Sequence, residues 1–402
     1  AAFSRPVPIT ASYFSYDIGR SYQQVYHDLV KGSLSYRFAN ESKLECNVAR
    51  QKDLREEYDL SLPYTTNQEL LKKPQVSFQL VTHNADVAYV QHPKNNFSGS
   101  TGITGSTQGN VFKGIRYLIP NFRNYTAGAY AIERYSYKKF VLEAGIRYDY
   151  RWQRVYQLDP NTLVPFNTTY EYKNATATIG GIYRLNEHFS VNLNTGTAWR
   201  APSINEMYIH GIHFSDASYQ DGDSTLQSER SWNTSLSTSY KSKKLRVSAD
   251  VYYNNISNYI YEKPQLQPVT LISGTYPAFV FTQDNVTING LDVSAQYDLL
   301  KYVTLQSKAT IVRGYNHSLK DHLIYMPADR YENGVAFSLH KIRLLEEPYI
   351  SLQNVSTLRQ SRVPPNGDYV PPPAGYSIFN AVIGCSVPIN KSNLHIDLSV
   401  NN

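Results

Sequence analysis

Alternation of apolar and polar residues with a period of two recurs in segment after segment, and it most constrains what this chain can fold into. In SVNLNT, Val191, Leu193 and Thr195 point one way and Ser190, Asn192 and Asn194 the other, as a strand between an apolar and a wet phase requires. Leu245, Val247, Ala249 and Val251 oppose Arg246, Ser248, Asp250 and Tyr252 in the same way. Phe140, Leu142, Ala144, Ile146 and Tyr148 likewise oppose Val141, Glu143, Gly145, Arg147 and Asp149. The pattern holds again over 291–298 and 394–400, where Asp292, Asp298, His395 and Asp397 share the polar phase. The charges therefore keep to one face. A charge at mid-depth on a lipid face costs about 2–4 kcal/mol, so the charged face must look into water or a polar filling.

About sixteen such segments follow one another, and their connections alternate strictly in length. Short turns fall near Asn40, Pro93, Tyr137, Asn186, Ser242, Leu300, Lys341 and Asn390. Between them lie longer Gly-, Pro-, Asn- and Tyr-rich connections at roughly 58–75, 107–121, 155–168, 199–229, 262–277, 315–326 and 360–375. That order describes an antiparallel up-and-down meander with every long loop at one end, as in an all-β transmembrane barrel. A soluble sandwich also alternates. Its core, however, does not call for small and medium apolar residues with tyrosines toward strand ends, as at Tyr148, Tyr297 and Tyr349, which fit an interfacial aromatic girdle. So many hairpins also leave sheet edges that only closure removes.

Composition supports a single β domain over 1–402: none of the 402 residues marks a linker, a charge block or a composition break. Mean hydropathy is −0.44 and no run reaches the length of a spanning helix. A barrel strand needs only about 9–11 residues with every second one apolar, so that average does not exclude a membrane. No signal-peptide pattern occupies residues 1–20, so a leader has been removed or the chain starts inside a longer protein. Cys46 and Cys385 form neither a metal spacing nor a disulfide framework, and each fits the apolar phase of its strand as a buried free thiol. The net charge of +6 is dispersed, without the basic cluster and interleaved aromatics that nucleic-acid binding requires. No Gly-x-Ser-x-Gly elbow, His-Glu-x-x-His or phosphate-binding loop is present, so neither an enzyme nor a cofactor is expected.

The wording of the interrupted stretch 189–261 adds to the pattern. TGTAWRAPSINEMYIHGIH, then TLQSERSWNTSLSTSY, then VYYNNISNYIYEKP resembles the second half of the barrel of TonB-dependent outer-membrane receptors. The matching positions are Gly196, Trp199, Arg200, Ala201, Pro202, Glu206, Leu226, Glu229, Tyr252, Tyr253, Tyr259, Ile260 and Tyr261, with Ser228 where the family has proline. YQQVYHDL at 22–29, LREEYDL at 54–60, RYLIPNF at 116–122 and LEAGIRYDYR at 142–151 look like further receptor segments in the right order. The resemblance implies a barrel of about 22 strands with a plugged lumen. About sixteen strands are here, and the plug domain and the first and last strands are expected to be absent. It also implies a bacterial outer-membrane location, a TonB energy-transducing partner acting through the plug, and import of a scarce nutrient such as a ferric siderophore, another iron complex, cobalamin, haem or an oligosaccharide. A passive porin or adhesin barrel without energy coupling is the alternative.

Residues for recognition are sought in the long loops. Tyr208, Tyr219, Tyr325 and Arg330 are candidate ligand contacts because aromatic and Arg side chains dominate recognition surfaces. His210 and His213 lie near Asp216, Asp221 and Asp223, but a His pair three apart in a Gly-containing loop lacks fixed ligation geometry; they are assigned to ligand contact or loop packing, not to metal. Gly196, Arg200, Pro202, Glu206 and Glu229, the motif residues at the barrel rim, are expected to brace the loop where it leaves the strand.

Overall fold

The structure is a computed structural model that describes residues 22–58, 72–159, 161–213, 216–365, 367–389 and 392–401. Sixteen long strands run through the described residues: β1 Tyr22–Arg37, β2 Lys43–Tyr58, β3 Val76–Val90, β4 Phe97–Phe112, β5 Asn121–Tyr137, β6 Phe140–Leu158, β7 Pro165–Arg184 and β8 Phe189–Arg200. They continue as β9 Glu229–Lys241, β10 Leu245–Pro264, β11 Ala278–Leu300, β12 Val303–Asn316, β13 Arg330–Ser338, β14 Leu345–Thr357, β15 Tyr376–Ile389 and β16 Ser392–Val400. Each pairs antiparallel with the next in sequence, from β1 with β2 through β8 with β9 to β15 with β16. Among the described residues β1 pairs only with β2 and β16 only with β15, so the sheet presents two edges.

Short and long connections alternate as expected. Tyr137 and Phe140 are joined by two residues, with Lys138 at φ 51°, whereas Arg200 and Glu229 are joined by a long excursion. The connections after β4 and β6 are shorter than expected, 113–120 and 159–164, because the strands continue past the apolar band as paired extensions. The turn near Asn390 and most of connection 58–75 lie outside the described residues.

Burial is inverted relative to a soluble protein. On β6, Ile146 is 67% exposed while Asp149, of the opposite phase, is 5% exposed. Outward apolar side chains recur around the sheet, among them Leu142, Leu193, Val251, Leu305 and Leu352. A contiguous apolar wall of this size is stable only against lipid, and this orientation excludes the sandwich. Tyr148 and Tyr297 stand on the outward face as a girdle requires.

Three expectations change. Tyr349 faces inward. A bulge between Glu346 and Tyr349 shifts the register by one residue, which moves a side chain to the other face, and the Tyr349 hydroxyl donates to Asp397 at 2.9 Å. Cys46 and Cys385 are free but half-exposed rather than buried, because the apolar phase they share faces lipid rather than a core. On β2 the charges are not confined to the inner face: the register places Arg50 and Lys52 in the phase of outward Val48.

Candidate functional site

The mouth of the sheet is organised by the connection between β8 and β9. It opens with Arg200, Ala201 and Pro202, then enters a single turn of helix, α1 (Ile204–Tyr208). The Ser203-x-x-Glu206 spacing forms a capping box: the Ser203 hydroxyl accepts from the Glu206 amide at 3.2 Å, and the Glu206 carboxylate accepts from the Ser203 amide at 2.7 Å. Sequence reasoning named Glu206 but missed the helix, although its cap pattern is present in the sequence. Ile204 and Met207 are buried, and Ile204 packs with Phe122 of β5 and Val155 of β6. Both partners belong to the inward phase, so α1 sits inside the upper lumen.

Arg200 joins the two ends of this excursion. Its guanidinium donates to both oxygens of Glu206 at 2.8 and 2.9 Å and to Glu229 at 3.0 Å. Glu229 also accepts from the Ile260 amide at 3.1 Å, tying the network to β10. The two carboxylates are 15% and 16% exposed and Arg200 40% exposed. Pro202 is fully buried beside them. At Gly196 a Cβ would stand 2.9 Å from the Thr178 side chain, so that position of β8 admits only glycine without a shift of β7.

Beyond α1 the chain forms a short hairpin, His210–His213 with Ser218–Asp221. Its second strand pairs in parallel with Ala278–Val280 at the outer end of β11. The excursion thus reaches from the inner face of β5 and β6 to the far edge of β11. Leu118 of the β4–β5 connection, Ile209, Leu226, Ile260 and Phe281 close around it as one apolar cluster. Tyr369, from the connection before β15, reaches the same place, its hydroxyl accepting from the Ala278 amide at 3.0 Å.

This hairpin brings several candidate residues together. His210 Nδ1 lies 2.8 Å from Asp221, the Tyr219 hydroxyl lies 3.3 Å from His210 Nε2, and the two rings meet edge to face. Burial, and then the charge of Asp221, raises the Tyr219 hydroxyl above the usual phenol range. His213 Nδ1 lies against a carboxylate oxygen of Asp216, and both stand within electrostatic reach of Glu262. Glu262 in turn acts on Tyr325: burial, then the charges of Asp368 and Glu262, push the Tyr325 hydroxyl up to about 12. His210, His213, Tyr219 and Tyr325 therefore belong to one neighbourhood with four carboxylates. Tyr208 lies apart, its hydroxyl against that of Tyr170. Arg330 is separate too, paired with Glu332 at 2.9 Å on the inward face of β13. No group of three or more His, Cys, Asp or Glu has metal-binding geometry among the described residues.

One cluster escaped sequence reasoning. Asp329 is clamped by Arg313 of β12 at 2.9 Å and by Arg362 at 3.0 Å, and these hydrogen bonds, led by that from Arg313, hold its carboxyl below the usual range. The three residues come from separate connections and strands, and nothing in their local sequence pairs them. Chemically, the mouth offers imidazoles, phenols and carboxylates for hydrogen bonding and ring stacking.

Comparison with known proteins agrees with this architecture. Residues 7–402 match the family profile described as TonB dependent receptor-like, beta-barrel. The copper transporter OprC superposes with a TM-score of 0.74 at 14% identity, over 94% of this chain and 59% of that one. The FrpB iron transporter from Neisseria meningitidis (F5-1 variant) gives 0.68 at 15%, over 95% and 60%. The ferric citrate transporter FecA in its unliganded form gives 0.66 at 13%, over 95% and 57%. The chain thus spans less than two thirds of the solved chains it matches, and at these identities the likeness is one of fold. The sheet, its inverted burial and the match along nearly its whole length place this chain in the TonB-dependent receptor family, as a β-barrel of the bacterial outer membrane.

Proposed function

We propose that this barrel is the wall and mouth of an energy-coupled uptake receptor, with the chain forming one partial barrel domain and a plug supplied by another part of the same receptor. In this reading a scarce nutrient binds at the mouth and is released inward when the TonB complex acts on the plug. The observation that carries the proposal is the β8–β9 excursion. It is anchored at both ends by Arg200 and Glu229, seated against the inner wall through Ile204, and paired with β11 at its far side. Gly196, Arg200, Pro202, Glu206 and Glu229 act as its brace, and His210, His213, Tyr219 and Tyr325 are the ligand-facing groups, with Tyr208 and Arg330 as separate contacts on the lumen side.

Among the similar barrels are those of copper, iron and ferric citrate transporters, which favours a metal complex as cargo. The test is uptake of radiolabelled iron as hydroxamate, catecholate and citrate chelates, and of copper, by cells with and without a functional TonB system. Accumulation of one cargo that is lost without TonB is the expected result. Uptake independent of TonB, together with steady ion conductance of the purified receptor in planar bilayers, would instead establish a passive pore.

A further inference from the structure

The outer wall of the barrel carries a hollow at membrane depth. Gly32 of β1, Val48 of β2, Ala85 of β3, Gly105 of β4 and Ala127 of β5 lie opposite one another in a single cross-strand row on the outward face. Four of the five are glycine or alanine. They floor a largely apolar groove of about 830 Å³ that runs to Tyr150 of β6. Gly105 is unusual in its surroundings. Its backbone φ is not in the left-handed region, and a Cβ built there would meet no atom within 4 Å. Glycine in a strand interior weakens the strand, and where neither backbone geometry nor packing requires it, it leaves the surface open to close approach from outside.

The next row toward the long-loop end places Arg50 opposite His83 at the rim of this groove, and Lys52 follows one row further on the same face, with Asp28 of β1 opposite it, so the face carries Arg50, Lys52 and His83 against one carboxylate. Among the described residues neither Arg50 nor Lys52 has a carboxylate partner within ion-pair distance. Arg50 is seven residues into β2. At about 3.4 Å per residue and a tilt of about 40°, it stands roughly 18 Å from the short-turn end of β2 toward the long loops, the larger part of an apolar band about 25 Å tall. An arginine at that height snorkels toward the outer interface, where it is stabilised by an anion.

We propose that this groove binds a phosphorylated, acylated lipid of the outer leaflet, one acyl chain lying over Gly105 and a phosphate resting between Arg50, His83 and Lys52. The cations lie on the long-loop side of the hollow, which selects the outer leaflet. A second copy of the chain would bring the same cations against these and is disfavoured by like charge.

The test uses the receptor purified in mild detergent, with lipid retention read by native mass spectrometry. The probes are bis-phosphorylated lipid A, its dephosphorylated form and phosphatidylglycerol. Preferential retention of phosphorylated lipid A is expected, weakened about fivefold for each charge removed in Arg50→Gln and Lys52→Gln. Gly105→Leu should weaken it as well while the receptor keeps its heat-modifiable, folded migration, since the added Cβ meets no protein atom. Equal retention of phosphorylated and dephosphorylated lipid, undiminished retention by Arg50→Gln, or a receptor dimer in place of bound lipid would overturn the proposal.

Discussion

Replacing Arg200 with alanine should free the β8–β9 excursion without unfolding the barrel. Arg200 supplies three charge-assisted hydrogen bonds to two carboxylates that are themselves mostly buried. Such bonds contribute about 1.5–3 kcal/mol each when taken singly, and removing one partner of a buried ion pair costs about 3–5 kcal/mol. Arg200 is 40% exposed, so water and salt screen part of that. A loss of about 2 kcal/mol remains, which corresponds to a rise of about 30-fold in the population of the opened loop. Amide hydrogen exchange reads this directly. The Ser203 amide donates to Glu206 and the Ile260 amide to Glu229, so both should lose about that factor of protection in Arg200→Ala while amides of β9 paired with β8 keep theirs. Arg200→Lys should fall between, because an ammonium cannot span both carboxylates in a fork. Unchanged protection at Ser203 and Ile260 in Arg200→Ala, with native global unfolding, would refute the reasoning.

Other consequences are equally direct. The Asp329 clamp works through a lowered carboxyl pKa, so its stabilisation is fully present above about 3.9, the usual Asp value, and is lost as pH falls through the lowered folded value. Loop protection near Arg362 should therefore be flat from neutral pH to about pH 4 and then decline, whereas Asp329→Asn should lack the step. The Tyr325 phenol, held at about 12 partly by Asp368, should titrate at lower pH in Asp368→Asn, as followed by ultraviolet difference spectra. Gly222→Ala would put a Cβ 2.6 Å from the backbone of Met207 and Tyr208 and should destabilise α1 by about 1–3 kcal/mol, read as faster proteolysis of the 201–228 segment. A nitroxide on Cys46 should be reached by dissolved oxygen in preference to a water-soluble nickel chelate, and the reverse preference would place that residue off the lipid face.

Period-two alternation is local information, held in each residue and its second neighbour, and it determined the strand class, the number of strands and the order of short and long connections. The ordered motif residues from Gly196 to Tyr261 carried the family. On β6 even the direction of the faces followed, because Arg147 and Asp149 are costly against lipid, whereas on β2, where Arg50 and Lys52 share the outward phase, it did not. Register and loop closure are not local. The bulge that turned Tyr349 inward, the pairing of Ser218–Asp221 with β11, and the meeting of Arg313, Asp329 and Arg362 depend on contacts between residues far apart in the chain. So does the hollow over Gly105: its row of small residues becomes a groove only when five strands are laid side by side in one register, and no single strand contains it.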